Sequence, residues 1–295
     1  MPGTVRIGIS GWRYAPWRGV FYPEDLAQRR ELEYASREFR SIEINGSFYS
    51  LQRPASWQSW HDDTPRDFVF AVKGPRFITH IKRLREIDAP LANFFASGVL
   101  LLQRKLGPLL WQFPPNFRFD APTFDAFLRR LPRTQTAAAA LAQQHDRRIA
   151  APALPPQVAR RRVRHAVEVR HASFCTTEFI ALLRRRGVGL VVADAARKYP
   201  LLEDVTADFV YIRLHGAEEL YASGYDAAAL AYWARRIDCW ARGGEPRGAR
   251  RIGAAAPRRN RRDVYCYFDN DAKVKAPFDA RSLRVLLARR GLPSS

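Results

Sequence analysis

A chain of 295 residues, 47% of them hydrophobic, holds enough apolar material for one large domain or two small ones. No run approaches the roughly 18 apolar residues of a membrane span. "MPGTVRIGIS" shows no apolar signal core behind a basic start, and Cys175, Cys239 and Cys266 are too scattered for a disulfide framework or a zinc site. A protein of the reducing cytoplasm, away from membranes, is therefore expected. The formal net charge of +20 is local: residues 129–164 hold nine Arg against one Asp, and residues 235–262 hold ten Arg against two acids.

In chain order, the first strand-like run is "VRIGIS" (5–10), followed by an amphipathic helical pattern at 24–39. Then come "SIEIN" (41–45), "FVFAVK" (68–73) and "GPLLWQF" (107–113). A helix is predicted over 121–131, with a Pro near its first turn. Segment 133–160, with "AAAALAQQ" and "APALPPQ", reads as an inserted basic arm, part helix and part Pro-rich loop. "AVEVR" (166–170) precedes a helix at 176–187 that starts with Thr and ends with Gly. "GLVVAD" (189–194) and "FVYIRLH" (209–215) follow, then a long helix at 227–244. A flexible basic loop at about 243–262 leads to "VYCYFDN" (264–270). A last helix at 279–291 has Asp279 as its N-cap.

Eight strands alternating with helices predict an α/β fold. Eight in a single domain spanning 1–295 favour a closed (β/α)8, TIM-barrel-like arrangement, with some distortion, over an open doubly wound sheet. "GISGWRYAPW" lacks the GxGxxG and P-loop spacings, which counts against a dinucleotide-binding domain.

In such a barrel one strand face meets the helices and the other fills the interior. By parity, Ile42 and Ile44 oppose Glu43 and Asn45; Val167 and Val169 oppose Glu168 and Arg170; Val210, Ile212 and Leu214 oppose Tyr211, Arg213 and His215. Lys73, Gln112, Asp194 and Asn270 lie at or near the ends of four further strands, and Ser10 and Trp12 at the first. The polar groups thus collect at the C-terminal strand ends, where barrel enzymes keep their active sites. The plainer alternative is a self-paired salt-bridge network that plugs the barrel. Burying that many charges for packing alone is a poor stability strategy.

The stretches "GISGWRYAPWRGVFYP", "SIEINGSFYSLQRP", "DFVFAVKGPRFITH", "LLWQFPPNF", "VEVRHASF", "DFVYIRLHG" and "VYCYFDND" occur in that order across nearly the whole chain. Together they resemble the YecE-like family, a bacterial and archaeal family of unknown function. The resemblance implies a TIM-barrel-like fold and no established reaction. The Arg-rich segments lie outside its motifs.

Lys73, Arg170 and Arg213 form a cation cluster suited to phosphate or carboxylate. Glu43, Glu168 and His215 are the candidate acids and bases. His80, on the loop after the third strand, joins them or binds substrate. Asn45, Gln112 and Asn270 are expected to orient a polar substrate, and Trp12, Phe48, Tyr49 and Tyr221 to wall the pocket. No HxH or HExxH spacing occurs, and three cations would oppose a dication, so neither metal nor cofactor is expected. An oxygen-rich site from Glu43, Glu168, Asp194 and His215 is the only metal alternative. The reading is an enzyme acting on an anionic substrate by acid–base chemistry, a hydrolase or a lyase or isomerase of a phosphorylated compound. The alternative is a non-catalytic barrel that binds a ligand or nucleic acid. The arginines, which outnumber lysines 43 to 6, would give weak nucleic-acid binding, or else reflect the codon usage of a GC-rich genome.

Overall fold

The computed structural model describes residues 1–292, so the last three residues of the expected domain lie outside the described residues. Eight parallel strands close into a barrel in sequence order: β1 (Val5–Ser10), β2 (Ser41–Ile44), β3 (Val69–Lys73), β4 (Leu106–Gln112), β5 (His165–Glu168), β6 (Gly189–Asp194), β7 (Phe209–Leu214) and β8 (Asp263–Phe268). All eight expected runs are strands, with ends within two residues of those read from the pattern. β8 pairs back to β1 with Val5 opposite Val264 and Ile7 opposite Cys266.

The period-2 alternation explains how the barrel is filled. Ile7, Ile42, Ile44, Val167, Ile212 and Leu214 face outward into one continuous core shared with the helices. Ala71, Leu110, Ala166, Val191, Tyr211 and Tyr267 point inward and form a separate, smaller core. The inner core is thus aromatic on the β7–β8 side and built from small residues opposite, as filling a closed barrel requires.

The helices are α1 (Glu31–Glu38), the short α2 (Gly46–Tyr49), α3 (Pro54–Asp62), α4 (Asp88–Ala96), α5 (Ala121–Arg130), α6 (Gln135–Ala142), α7 (Thr177–Arg186), α8 (Ala227–Ala241) and α9 (Ala276–Ala288). α7 is bounded as its sequence predicts: Thr176 accepts from the Phe179 N–H, and Gly187 takes a left-handed φ of 59°. The 24–39 pattern becomes α-helical only at Glu31, after a 3₁₀ turn at Gln28–Arg30. α9 begins at Ala276, because Pro277 is well tolerated in a first turn. Asp279 is therefore not its cap; its carboxylate accepts from Asn270 Nδ2 at 2.8 Å and from the Tyr225 N–H at 3.1 Å.

The arm at 133–160 supplies α6, which packs beside α4; Asp146 caps this contact through two 3.0 Å hydrogen bonds with Asn93. Between β6 and β7 there is no helix. The basic loop, expected to be flexible, fills that side of the barrel instead. It is held because buried Glu203 accepts from the Arg250 N–H at 2.8 Å, and buried Asp204 accepts from the Ile252 and Gly253 N–H groups at 2.9 and 2.8 Å. Arg184 on α7 reaches the Ala254 carbonyl at 2.7 Å, and Arg236 on α8 pairs with Glu203 at 3.0 Å. The loop lies between α7 and α8, where a sixth crossover helix would lie.

Candidate active site

The topmost inward residues of the strands meet at the C-terminal end of the barrel. Arg213 on β7 is their hub. Its NH1 donates to Glu168 Oε2 at 2.7 Å, and its NH2 donates to Glu43 Oε1 at 2.8 Å and to Asp269 Oδ2 at 2.9 Å. Glu43 also accepts from Ser10 Oγ, and from Tyr211 Oη at 2.5 Å. Glu168 accepts from Gln112 Nε2 and Arg170 Nε, each at 2.8 Å. His215 Nδ1 lies 2.9 Å from Asp269 Oδ2, and its ring meets Tyr221 edge-on at 5.3 Å.

Convergence follows the parity argument, but depth does not. Arg213 and His215 are wholly buried, as are Glu43 and Glu168. Arg213 thus presents no surface to a ligand, and both terminal nitrogens of its guanidinium are engaged by the three carboxylates. Glu43, Glu168 and His215 lie beneath the floor, not on it. Asn270, expected to orient substrate, is turned away from the barrel interior and donates to Asp279 and to the Ser223 carbonyl. Asp194 faces the helix side, where Tyr225 Oη donates to it at 3.2 Å. That removes it from the oxygen-rich metal alternative. Among the described residues no three His, Cys, Asp or Glu side chains are grouped as a metal ion would need, and no helix is long and apolar enough to cross a membrane.

Above the floor opens a cavity of about 1040 Å³. Of the expected residues, Trp12, Asn45, Tyr49, Lys73, His80, Gln112, Arg170 and Tyr221 line it, with Phe48. Residues that the sequence reading missed line it too: Arg13, Tyr14, Trp60, Arg76, Asp269 and Asp271. Asp269 continues the inward parity of Tyr265 and Tyr267.

Electrostatics separates these groups. Burial alone would raise the Asp269 carboxyl, but Arg213 and His215 outweigh it and hold it below the ordinary range. Glu168 is likewise held well below by Arg170 and Arg213, against its burial. Asp271 lacks such help: burial and the Asp269 charge push it up to about 6. Burial, then the charges of Lys73 and Arg170, lower His80 to about 4, which leaves it neutral near pH 7. Burial, then Arg213, lower Lys73 to about 8. Lys73 is 8% exposed; its Nζ lies 4.1 Å from the centroid of the Phe48 ring. Among the described residues it has no ion pair and no side-chain hydrogen bond.

A family model described as "Protein of unknown function DUF72" matches residues 6–294. The chain belongs to the DUF72 family. The resemblance read from the motifs is borne out by curated relatives. The UPF0759 protein YunF of Bacillus subtilis is 31% identical over 118 residues, which cover 38% of this chain and 41% of that protein. The UPF0759 protein YecE of Escherichia coli K12 is 29% identical over 129 residues, covering 43% and 44%. The chain thus spans less than half the length of the curated relatives it matches. Among solved structures, a DUF72 protein of Thermotoga maritima aligns over 97% of this chain and 99% of its own, with a TM-score of 0.72 at 25% identity. One from Enterococcus faecalis aligns over 97% and 96%, with a TM-score of 0.70 at 15% identity. The DUF72 fold is thus the closed parallel barrel, and the family name carries no reaction.

Proposed function

We propose that this DUF72 chain is an enzyme that binds a small phosphate- or carboxylate-bearing substrate in the mouth cavity and acts on it by acid–base chemistry. One observation carries the reading: Arg13, Lys73 and Arg76 face a single cavity, and none of them has a carboxylate partner among the described residues. Cations gathered without a direct ion-pair partner in a partly desolvated space favour a bound anion. Arg170 adds a fourth positive charge, already paired to Glu168. The two acids of the lining suit opposite tasks. Asp269 stays ionised, while Asp271 titrates near neutral pH; two carboxyls with separated pKa values are the usual basis for dividing acid and base roles. Glu43, Glu168 and Arg213 then act from below by holding Asp269 and Gln112 in place, and His215 supports Asp269. Proton transfer at the substrate falls to Asp269 and Asp271. Hydrolases, lyases and isomerases all fit this arrangement.

Calorimetric titration with inorganic phosphate at low salt tests the reading. Wild type should bind, and an Arg13→Gln, Arg76→Gln double variant should bind more weakly. A wild type that does not bind, or a double variant indistinguishable from it, overturns the reading. A mass-spectrometric survey of retained metabolites would then name the substrate.

The nucleic-acid alternative draws on a different surface. Arg258, Arg259 and Arg261 are exposed, form no ion pair among the described residues, and precede β8. They therefore lie toward the end of the barrel opposite the mouth.

A further inference from the structure

The three unpaired cations of the mouth are not equivalent. Arg13 and Arg76 are exposed at the rim, whereas Lys73 is buried at the end of β3 against the Phe48 ring. A permanently charged guanidinium suits anion binding from the rim. A lysine in a desolvated place, open to a cavity and free of any ion pair, suits a different task. We propose that Lys73 is a nucleophile that forms a covalent imine with its substrate, so that the substrate is a small aldehyde or ketone bearing an anionic group. This rests on the anion-binding reading of the mouth and narrows it.

The amine needs to be neutral to attack. The groups facing Lys73 decide how far that is met. Arg213 on β7 and burial favour the neutral form; Glu43 on β2, Glu168 on β5 and Asp269 after β8 favour the charged one. His80, on the turn after β3, is neutral and adds no charge. The balance leaves a substantial neutral fraction near pH 8, the pattern of an amine activated by desolvation and a neighbouring cation. In the step itself, Nζ bonds to the carbonyl carbon and the C–O bond breaks. The oxygen leaves as water with two protons from nitrogen, and the third stays on the iminium. Ammonium plus carbonyl thus gives iminium plus water, with no oxidant or reductant. The iminium then draws electrons from the adjacent carbon, so a C–H or C–C bond there can break, with Asp269 or Asp271 handling the proton. This selects lyase or isomerase over hydrolase among the reactions above.

The test is reductive trapping. The protein is mixed with limiting pyridoxal 5′-phosphate, an anionic aldehyde, and sodium cyanoborohydride at about pH 8. It is then digested and its lysines are mapped by mass spectrometry. The chain has only six: Lys73, Lys82, Lys105, Lys198, Lys273 and Lys275. The label should fall first on Lys73 and be suppressed by inorganic phosphate. Lys73→Arg and Lys73→Met should each lose the adduct while staying folded by circular dichroism. Label spread over the exposed lysines with none on Lys73, while phosphate still binds, overturns the imine and leaves the anion-binding reading standing. Label on Lys73 that phosphate does not suppress supports the imine and sinks the anion site. Neither phosphate binding nor Lys73 label sinks both.

Discussion

Arg213 serves three buried carboxylates at 2.7–2.9 Å, so Arg213→Met gives the sharpest test of the floor. Methionine approximates the length of the stem and removes only the guanidinium. Stripping one partner from a buried ion pair costs about 3–5 kcal/mol; here three carboxylates lose their shared cation, while each keeps at least one other donor. For a domain of this size about 3–5 kcal/mol corresponds to a fall in Tm of roughly 5–8 °C. The pH dependence is the more discriminating readout. In wild type, Glu168 and Asp269 are held below their ordinary pKa. They contribute stability that is present above the ordinary carboxylate range and lost as pH falls through the depressed values. Without the guanidinium, burial dominates at Asp269 and raises it, and the variant then loses stability as pH rises. Arg170 continues to hold Glu168, so Asp269 carries most of the effect. Urea melts followed by circular dichroism at about pH 4 and about pH 7 should show a gap that widens with pH. A gap below about 1 kcal/mol at neutral pH, or one independent of pH, would refute the view that Arg213 holds the floor together.

Asp271→Asn removes an acid raised to about 6 from an ordinary 3.8, a destabilising burden that grows as pH rises between those values. Thermal melts should show the variant equal to wild type at acid pH and about 1–3 kcal/mol more stable above neutrality; no gain there would contradict the desolvated setting of Asp271. His165, buried outside the mouth, is lowered to about 3 by burial and is therefore neutral, accepting from Trp111 Nε1 at 3.1 Å with Nε2 2.7 Å from the Pro132 carbonyl. His165→Phe should cost roughly 2–4 kcal/mol at neutral pH by orphaning both partners. The deficit should narrow below about pH 6.5, where wild type alone must keep a buried histidine uncharged; a deficit that stays constant with pH counts against it. Gel shifts should show weak, sequence-independent nucleic-acid binding that fades with salt and weakens when Arg258, Arg259 and Arg261 become serine; no shift at low salt leaves codon usage as the account of the arginines.

Parity made Glu43, Glu168, Arg213 and His215 legible, because each alternates with aliphatic residues that can only face the helices. It failed at β8, where Val264, Cys266 and Phe268 alternate with Tyr265 and Tyr267. Both faces are apolar or aromatic there, so hydrophobicity does not say which is inside, nor whether Asp269 or Asn270 points into the mouth. Depth was not legible either. Whether a polar strand end forms a floor or lies under one depends on how side chains from several strands stack, which no single strand encodes. α4 escaped notice for a related reason: seven of its nine residues are buried, so it lacks the one-sided period of a surface helix. Asp271 lies in a loop, where there is no period to read.

The loop that stands in for a sixth helix also sets an order of events during synthesis. In most crossovers of this barrel, the covering helix emerges between the two strands it protects. Here β6 and β7 emerge bare, and Glu203 and Asp204 wait for the backbone N–H groups of residues 250–253. At ribosomal rates of about 5–20 residues per second, that wait lasts several seconds. During it one flank of the nascent barrel is open to water and to other chains, so the interval in which this protein is most exposed to aggregation or chaperone capture falls between the emergence of residue 214 and that of residue 253.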